Sequence, residues 1–253
     1  MKKRIVVIVT LVLTLALAAC GTASVQPVDG PGMIREPDLT ARIMEDGGDE
    51  LLLAGLREPY SDVYTVSKSA LTDAGAYLEE LRPGEMLALD FDGSVEEAWP
   101  ARLGSVTGAA VTEDGRDRLY QCYLDVMEDL WEKDPALHDG ITQIGFDLAS
   151  TRLAPSEQAA VALIFARDHG NLTPLLGARQ ELTDAGFIDG ETLVWDDGVL
   201  LSIREKNDED GEVLFDAELW RSGLGAYLFC DCRSKKLLGG DWEPCTVGSE
   251  AVA

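Results

Sequence analysis

The stretch LALDFDGSV, residues 87–95, places two carboxylates two residues apart at the end of an apolar run. On a buried strand this spacing lets Asp90 attack a phosphoryl group while Asp92 serves as general acid, the two halves of covalent phosphoryl transfer. The first carboxylate must then close the opening strand of a parallel α/β domain. A Ser/Thr, a Lys and an acidic pair must follow at the ends of later parallel strands to hold phosphate and Mg²⁺. Here VEEAWPARLGSV follows directly, whereas a parallel crossover takes about a dozen residues or more and is usually helical. The later acidic pair, Asp196-Asp197, precedes Gly198 between two β-type runs, which predicts a hairpin turn. Asp92-Gly93 is itself a turn dipeptide. A three-residue loop, Asp92 to Ser94, would set Phe91 opposite Val95 and Leu87 opposite Trp99, with Asp90 turned to solvent.

The local likeness to haloacid-dehalogenase-type phosphatases therefore lacks its supporting elements, and neither Asp90 nor Asp92 is assigned a catalytic role. Other constellations are equally incomplete. The two histidines, His138 in a loop and His169 at a helix end, fit no zinc spacing, and no phosphate-loop or nucleophile-elbow motif occurs. If Gly211 is set at the sixth position of a Ca²⁺ loop, Asp208 and Asp210 fall at positions three and five. Lys206 and Ala217 then occupy the first and twelfth positions, where carboxylates are required. Trp220, Tyr227, Phe229 and Trp242 could line a groove, although such residues more often form core on a curved sheet. No catalytic, cofactor-binding or metal-ligating residue is assigned.

Four cysteines follow Cys20: Cys122, Cys230, Cys232 and Cys245. Cys122 lies on an apolar helical stripe, which predicts a buried thiol. Cys230 and Cys232, two apart on one strand, should face the same side. A turn centred between Leu238 and Gly239 would place Cys232 opposite Cys245, making Cys232–Cys245 the expected disulfide.

Turn residues between short β runs over residues 41–112 predict a small antiparallel, barrel-like module of the OB type. Residues 113–253 read as an α+β domain with an antiparallel sheet. Apolar residues from Leu119 to Leu130 keep helical spacing, Pro155 opens a second helix, and Thr173-Pro174 opens a third that Gly186 closes. A β-rich tail follows, beginning with ETLVW and VLLSI.

The N-terminus carries a different kind of chemistry. MKKR is followed by the apolar run 5–18, and then by Leu17-Ala18-Ala19-Cys20-Gly21. This predicts a signal peptide over residues 1–19 and lipid attachment at Cys20. Residues 20–40, rich in Gly and Pro, read as a tether. The chain would be extracytoplasmic and held on the bacterial cell membrane through Cys20. Its net charge is −25, and signal-peptide removal would make it three units more negative. Such a charge disfavours nucleic acid and anionic lipid as partners.

Within this frame, LRPGEMLALDFDGSVEEAWPARLGSV resembles a small β-domain of unknown function found in Gram-positive surface lipoproteins. The matching positions are Leu81, Gly84, Phe91-Asp92-Gly93, Glu97, Trp99 and Pro100-Ala101, with Arg102 where Gln is usual. Residues after Thr112 resemble uncharacterised C-terminal regions of clostridial-type lipoproteins. The resemblance implies an envelope lipoprotein and brings no catalytic residue with it. The expectation is a non-enzymatic binding or interaction protein of unknown ligand. An extracytoplasmic hydrolase with an unrecognised site is the alternative, and a structural subunit of an envelope assembly is a third.

Overall fold

The computed structural model describes residues 36–113, 115–206 and 209–253. The signal-peptide segment, Cys20, the tether up to residue 35, and Asp208 of the loop weighed for Ca²⁺ lie outside the described residues. Residues 37–253 form one compact unit.

The fold is α+β, built on two sheets, and both are mixed rather than antiparallel. The first contains β1 (Leu39–Asp46), β2 (Glu50–Gly55), β3 (Val63–Ser67), β4 (Met86–Phe91), β5 (Val95–Glu96), β6 (Ala101–Leu103) and β7 (Val106–Val111). Helix α1 (Lys68–Asp73) lies between β3 and β4 in the chain. The strand order β5-β6-β3-β2-β1-β4-β7 makes a curled half-barrel, not the expected antiparallel barrel, and β6 runs parallel to β3. Period-two alternation sets its two faces. Leu39, Ala41 and Ile43 enter one core with Leu51, Leu53, Tyr64 and Leu71, whereas Met44, Leu52, Ala54 and Val63 enter a second.

The Asp92-Gly93 turn forms, with Asp92 Oδ1 accepting the Ser94 N–H at 2.9 Å and Gly93 at positive φ. It does not join a hairpin of its flanking runs. Phe91 pairs with Val106 on β7, while Val95 pairs with Leu103 on β6. Asp90 stands on a strand with antiparallel neighbours on both sides, the wrong setting for a phosphoryl-accepting carboxylate.

The second sheet follows α2 (Leu119–Lys133). It consists of β8 (Gln143–Asp147), β9 (Thr173–Leu176), β10 (Gly198–Glu205), β11 (Glu212–Ser222), β12 (Gly225–Lys235) and β13 (Ser249–Val252), in the order β13-β12-β11-β10-β8-β9. Strand β8 is parallel to both neighbours. Between β8 and β9 runs α3 (Pro155–Asp168), and between β9 and β10 runs α4 (Arg179–Asp184). The apolar side chains of α3 join one core, while Leu182 of α4 joins a separate cluster with Trp195, Leu200 and Trp220. The two helices thus cover opposite faces, as right-handed crossovers in opposite directions require.

Two sequence expectations fail here for identifiable reasons. Thr173-Pro174 begins a strand, not a helix. Pro174 is tolerated because β9 is the sheet edge, where a missing N–H costs no ladder bond. Asp196-Asp197 does not close a hairpin. Asp197 accepts the Thr142 hydroxyl at 2.7 Å and so ties the start of β8 to the start of its parallel partner β10.

Gly198 opens β10 against the Trp195 indole. A Cβ there would lie 2.2 Å from Trp195 Cε2, and Trp195 is itself fully buried. Gly198→Ala should therefore destabilise the protein by about 1–3 kcal/mol through overpacking, with an unchanged urea m-value. Urea unfolding followed by Trp fluorescence measures it.

Candidate functional site

Strand β8 sends the chain through α3 to β9 on one side, and α4 returns it to β10 on the other. At the carboxyl ends of β8 and its parallel neighbour β10 stand the loop of residues 148–154 and Glu205. The loop is fixed from within. Thr151 Oγ1 donates to the Leu148 carbonyl at 2.7 Å, and Ser150 Oγ donates to the Ile203 carbonyl at 2.8 Å. Arg152 donates to Glu205 twice, from its backbone N–H at 2.7 Å and from Nε at 2.8 Å. Tyr123 on α2 donates its hydroxyl to the same carboxylate at 2.5 Å.

Beside this group is a cleft of about 200 Å³ lined by Arg42, Asp117, Leu119, Tyr120, Arg152, Leu153 and Glu157. Arg42 comes from β1 and Glu157 from the first turn of α3, so the cleft lies where the two sheets meet. Arg42 Nε donates to Glu157 Oε1 at 2.5 Å, with the side chains 17% and 8% exposed. Its NH1 donates to the Gly84 carbonyl at 2.9 Å. Glu157 Oε2 accepts the Ala154 N–H at 2.8 Å, capping α3. Asp117 receives Lys236 Nζ at 2.6 Å, the Trp242 indole N–H at 2.8 Å and the Leu119 N–H at 2.9 Å. Nearby, Asp241 pairs with Arg116 at 2.7 Å and with Arg118 at 3.3 Å.

The chemistry of this cleft follows from its protonation states. Burial pushes Tyr120 up to about 12. Burial, followed by the Glu205 hydrogen bond, pushes Tyr123 well above the usual phenol range. Both therefore remain donors at neutral pH. Burial would raise Asp117, but the hydrogen bonds from Lys236, Trp242 and Leu119 outweigh it and hold the carboxyl below its ordinary value. Glu157 and Glu205 each use both oxygens on Arg and backbone donors. Both phenols already donate within the protein, Tyr120 to the Ile43 carbonyl and Tyr123 to Glu205, and Arg42 and Arg152 give the cleft a positive lining whose guanidiniums are tied to Glu157, Gly84, Glu205 and Glu209.

The residues singled out from sequence do not converge on this cleft. Asp90 and Asp92 belong to the first sheet at β4 and its turn. His138 stacks on Trp131 at 3.8 Å between ring centroids and contacts its carbonyl through Nε2. His169 stacks on Phe165 at 4.0 Å and approaches Glu128 at 3.1 Å. The two histidines thus flank Trp131 as packing partners. The four aromatics do not share a groove. Phe229 is core, Trp220 belongs to the cluster under α4, and Tyr227 and Trp242 pack partly buried against the main core. Sequence reasoning missed Arg42, Glu157, Arg152 and Glu205. A Pro155-x-Glu157 start to an apolar helix was the available signal, and it marks a cap, not a partner 115 residues away.

Cys122 is a buried free thiol as expected, but the strand cysteines depart from expectation. All four described cysteines are free thiols, and the Cys232–Cys245 bridge is not formed. Arg233 pairs with Thr246, so the register places Ser234, not Cys232, opposite Cys245. Cys230 and Cys232 do not face the same side. Phe215 pairs with Cys232 and Ala217 with Phe229, so β12 carries an extra residue, with Asp231 at φ 55°. The bulge turns Phe229 and Cys232 into the main core and leaves Cys230 outside it.

Comparison with protein-family models, with curated proteins and with solved structures finds no match to this chain.

Two measurements test the cleft. Glu157→Leu should cost about 3 kcal/mol because it strands the Arg42 guanidinium, and adding Arg42→Met should recover part of that loss. A double-mutant cycle in urea reads the coupling. Asp117 has a depressed folded pKa, so its stabilisation is complete above the ordinary value of 3.8 and is lost as pH falls through the lower folded value. Unfolding midpoints from pH 7 to pH 2.5 should show Asp117→Asn losing less stability on the acid side than the parent. Equal acid-side losses would remove Asp117 from the account.

Proposed function

We propose that this chain is a bacterial cell-envelope lipoprotein, acylated at Cys20, whose body holds a ligand or partner without transforming it. The observation that carries the proposal is the sequence MKKR, the apolar run 5–18 and Leu17-Ala18-Ala19-Cys20-Gly21. A basic start, an apolar segment too short for a stable membrane span and a Cys after small residues are what lipoprotein processing recognises. Attached acyl chains then supply roughly 0.8 kcal/mol per buried CH₂, enough with two or more chains for stable membrane residence.

The folded unit begins at Pro37, leaving 16 residues between Cys20 and the body. Fully extended, such a segment reaches about 50–60 Å. A tether of that reach would let an acidic body stand clear of an anionic leaflet whose field falls off within roughly a Debye length.

The cleft between the sheets supports binding over catalysis. A general acid or base needs a group whose proton is exchangeable near neutral pH and within reach of substrate. Tyr120 and Tyr123 are held protonated, and Glu157 and Glu205 are committed to Arg152, Arg42 and backbone N–H groups. Arg42 and Arg152 line one cavity and give it a positive lining that favours a polar ligand or a partner's side chain.

In bacteria expressing the full chain, the protein should sediment with membranes and incorporate a fatty-acid analogue. Cys20→Ala should abolish the label and block processing. An unlabelled parent, or a normally processed and membrane-bound variant, would overturn the anchoring.

A further inference from the structure

The cleft where the two sheets meet has one donor group left open. Arg42 gives Nε to Glu157 at 2.5 Å and NH1 to the carbonyls of Gly84 at 2.9 Å and Asp117 at 3.4 Å. Its NH2 nitrogen donates to nothing among the described residues. That nitrogen is not enclosed. Among the described residues, the enclosed side-chain nitrogen and oxygen atoms without a partner are Arg118 Nε, Arg179 Nε and Ser202 Oγ. NH2 therefore meets open space, and Arg42 lines the cleft of about 200 Å³.

The charges around this cleft leave one cation over. Arg42 faces Glu157, Arg152 faces Glu205 and Lys236 faces Asp117, at 2.5, 2.8 and 2.6 Å. On either side of Asp117 in the chain, Arg116 and Arg118 share the single carboxylate of Asp241, at 2.7 and 3.3 Å. Five cations thus meet four carboxylates, in a chain whose acidic side chains outnumber the basic ones 46 to 21. The uncharged part of the lining is the buried side chains of Leu119, Tyr120 and Leu153.

We propose that this cleft binds a short aliphatic monocarboxylate, with the carboxylate on Arg42 NH2 and the alkyl group against Leu119 and Leu153. This rests on the reading of the cleft as a ligand site and adds the class of ligand. Charge decides for a carboxylate. A hydrogen bond from a guanidinium to a carboxylate is roughly twice as strong as one between neutral groups, so an acid outbinds its own amide. An ammonium group would meet the open guanidinium and find both lining carboxylates, Asp117 and Glu157, already paired. A second negative charge on the ligand would gain no second open cation and would be repelled by those same carboxylates. Size sets the length of the alkyl group. A water occupies about 30 Å³ of liquid, so the cleft has room for an acid of about six heavy atoms. Contact with Leu119 and Leu153 then takes the alkyl surface out of water.

The test titrates the full chain in detergent with butyrate, butyramide and butylammonium in turn, read by saturation-transfer NMR on the ligand methyl protons. Butyrate should bind with a millimolar Kd, butyramide about tenfold more weakly or worse, and butylammonium not at all. Arg42→Lys keeps a cation facing Glu157 but has a single nitrogen, so it should weaken butyrate by about tenfold or more. The series of three ligands on the parent stands whether or not that variant folds. Butyramide or butylammonium binding as tightly as butyrate, with the signal lost in Arg42→Lys, overturns the carboxylate and leaves the cleft a ligand site. Butyrate binding unchanged in a folded Arg42→Lys protein puts the acid elsewhere and overturns the proposal. No signal from any of the three overturns both the carboxylate and the cleft as a site for small ligands.

Discussion

Nine of the fourteen residues of α3 are buried, and they point in nearly every direction around the helix axis. A helix that is apolar on one stripe needs one partner surface, whereas a helix apolar all round must be enclosed. Here one side meets the second sheet along β9 and through Phe165 on Phe146 of β8, and another meets β1, β2 and β3 of the first, whose Met44, Leu52, Ala54 and Val63 join the same core. The first sheet therefore has two working faces. Its concave side closes over Leu39, Leu51, Tyr64 and Leu71, and its outer side is half of the core around α3. Neither half of the described chain completes its packing without that helix, which is why residues 37–253 form a single unit.

Enclosing α3 brings a polar problem with it. A helix start needs acceptors for its first N–H groups, and this one begins where the two sheets meet, with Ser156 and Glu157 buried. Glu157 caps Ala154, and Arg42 neutralises Glu157 from the opposite sheet. Ser156 donates to the Gly55 carbonyl at 2.6 Å and so satisfies the end of β2. Burying such a pair adds little net stability, because desolvation offsets most of the attraction. Its effect is on register. Any sliding of α3 along the first sheet would separate a charge pair in a partly dehydrated place. The cleft lined by Arg42, Tyr120 and Arg152 is thus a consequence of how the helix start is satisfied.

Periodicity along single segments was the legible part of this fold. The strands of residues 39–67, the stripe on α2 and the proline start of α3 all form, because each depends on neighbours a few residues apart. What depended on distant partners was not legible. Pro174 reads as a helix start until β9 is known to be an edge. Asp197 reads as a hairpin turn until Thr142 is known to lie across a parallel pair. The sites fared similarly. Asp92 was correctly a turn residue, since its partner is Ser94, but the Arg42–Glu157 and Arg152–Glu205 contacts span too much chain for spacing to reveal. The cysteine register failed on one extra residue at Asp231, which no alternation pattern marks.

The charge balance links these contacts to the chain as a whole. With 46 acidic and 21 basic side chains, every cation has a surplus of carboxylates to choose from. The chain uses several of its cations internally, as ties between remote segments. Arg42 holds β1 to α3, Arg152 holds the post-β8 loop to β10, and Arg116 and Lys236 hold the segment before α2 to the C-terminal region. Among the described residues, the carboxylates facing those ties are neutralised, as are the enclosed Glu85 by Arg82 and Glu218 by Arg179. The outer field is consequently more acidic than the interior. Around the body this surplus repels anions at long range, screened beyond roughly 8–10 Å by physiological salt, while Arg42 and Arg152 keep a positive lining in the cleft, and the place of Arg42 there is set by the enclosure of α3 through Glu157.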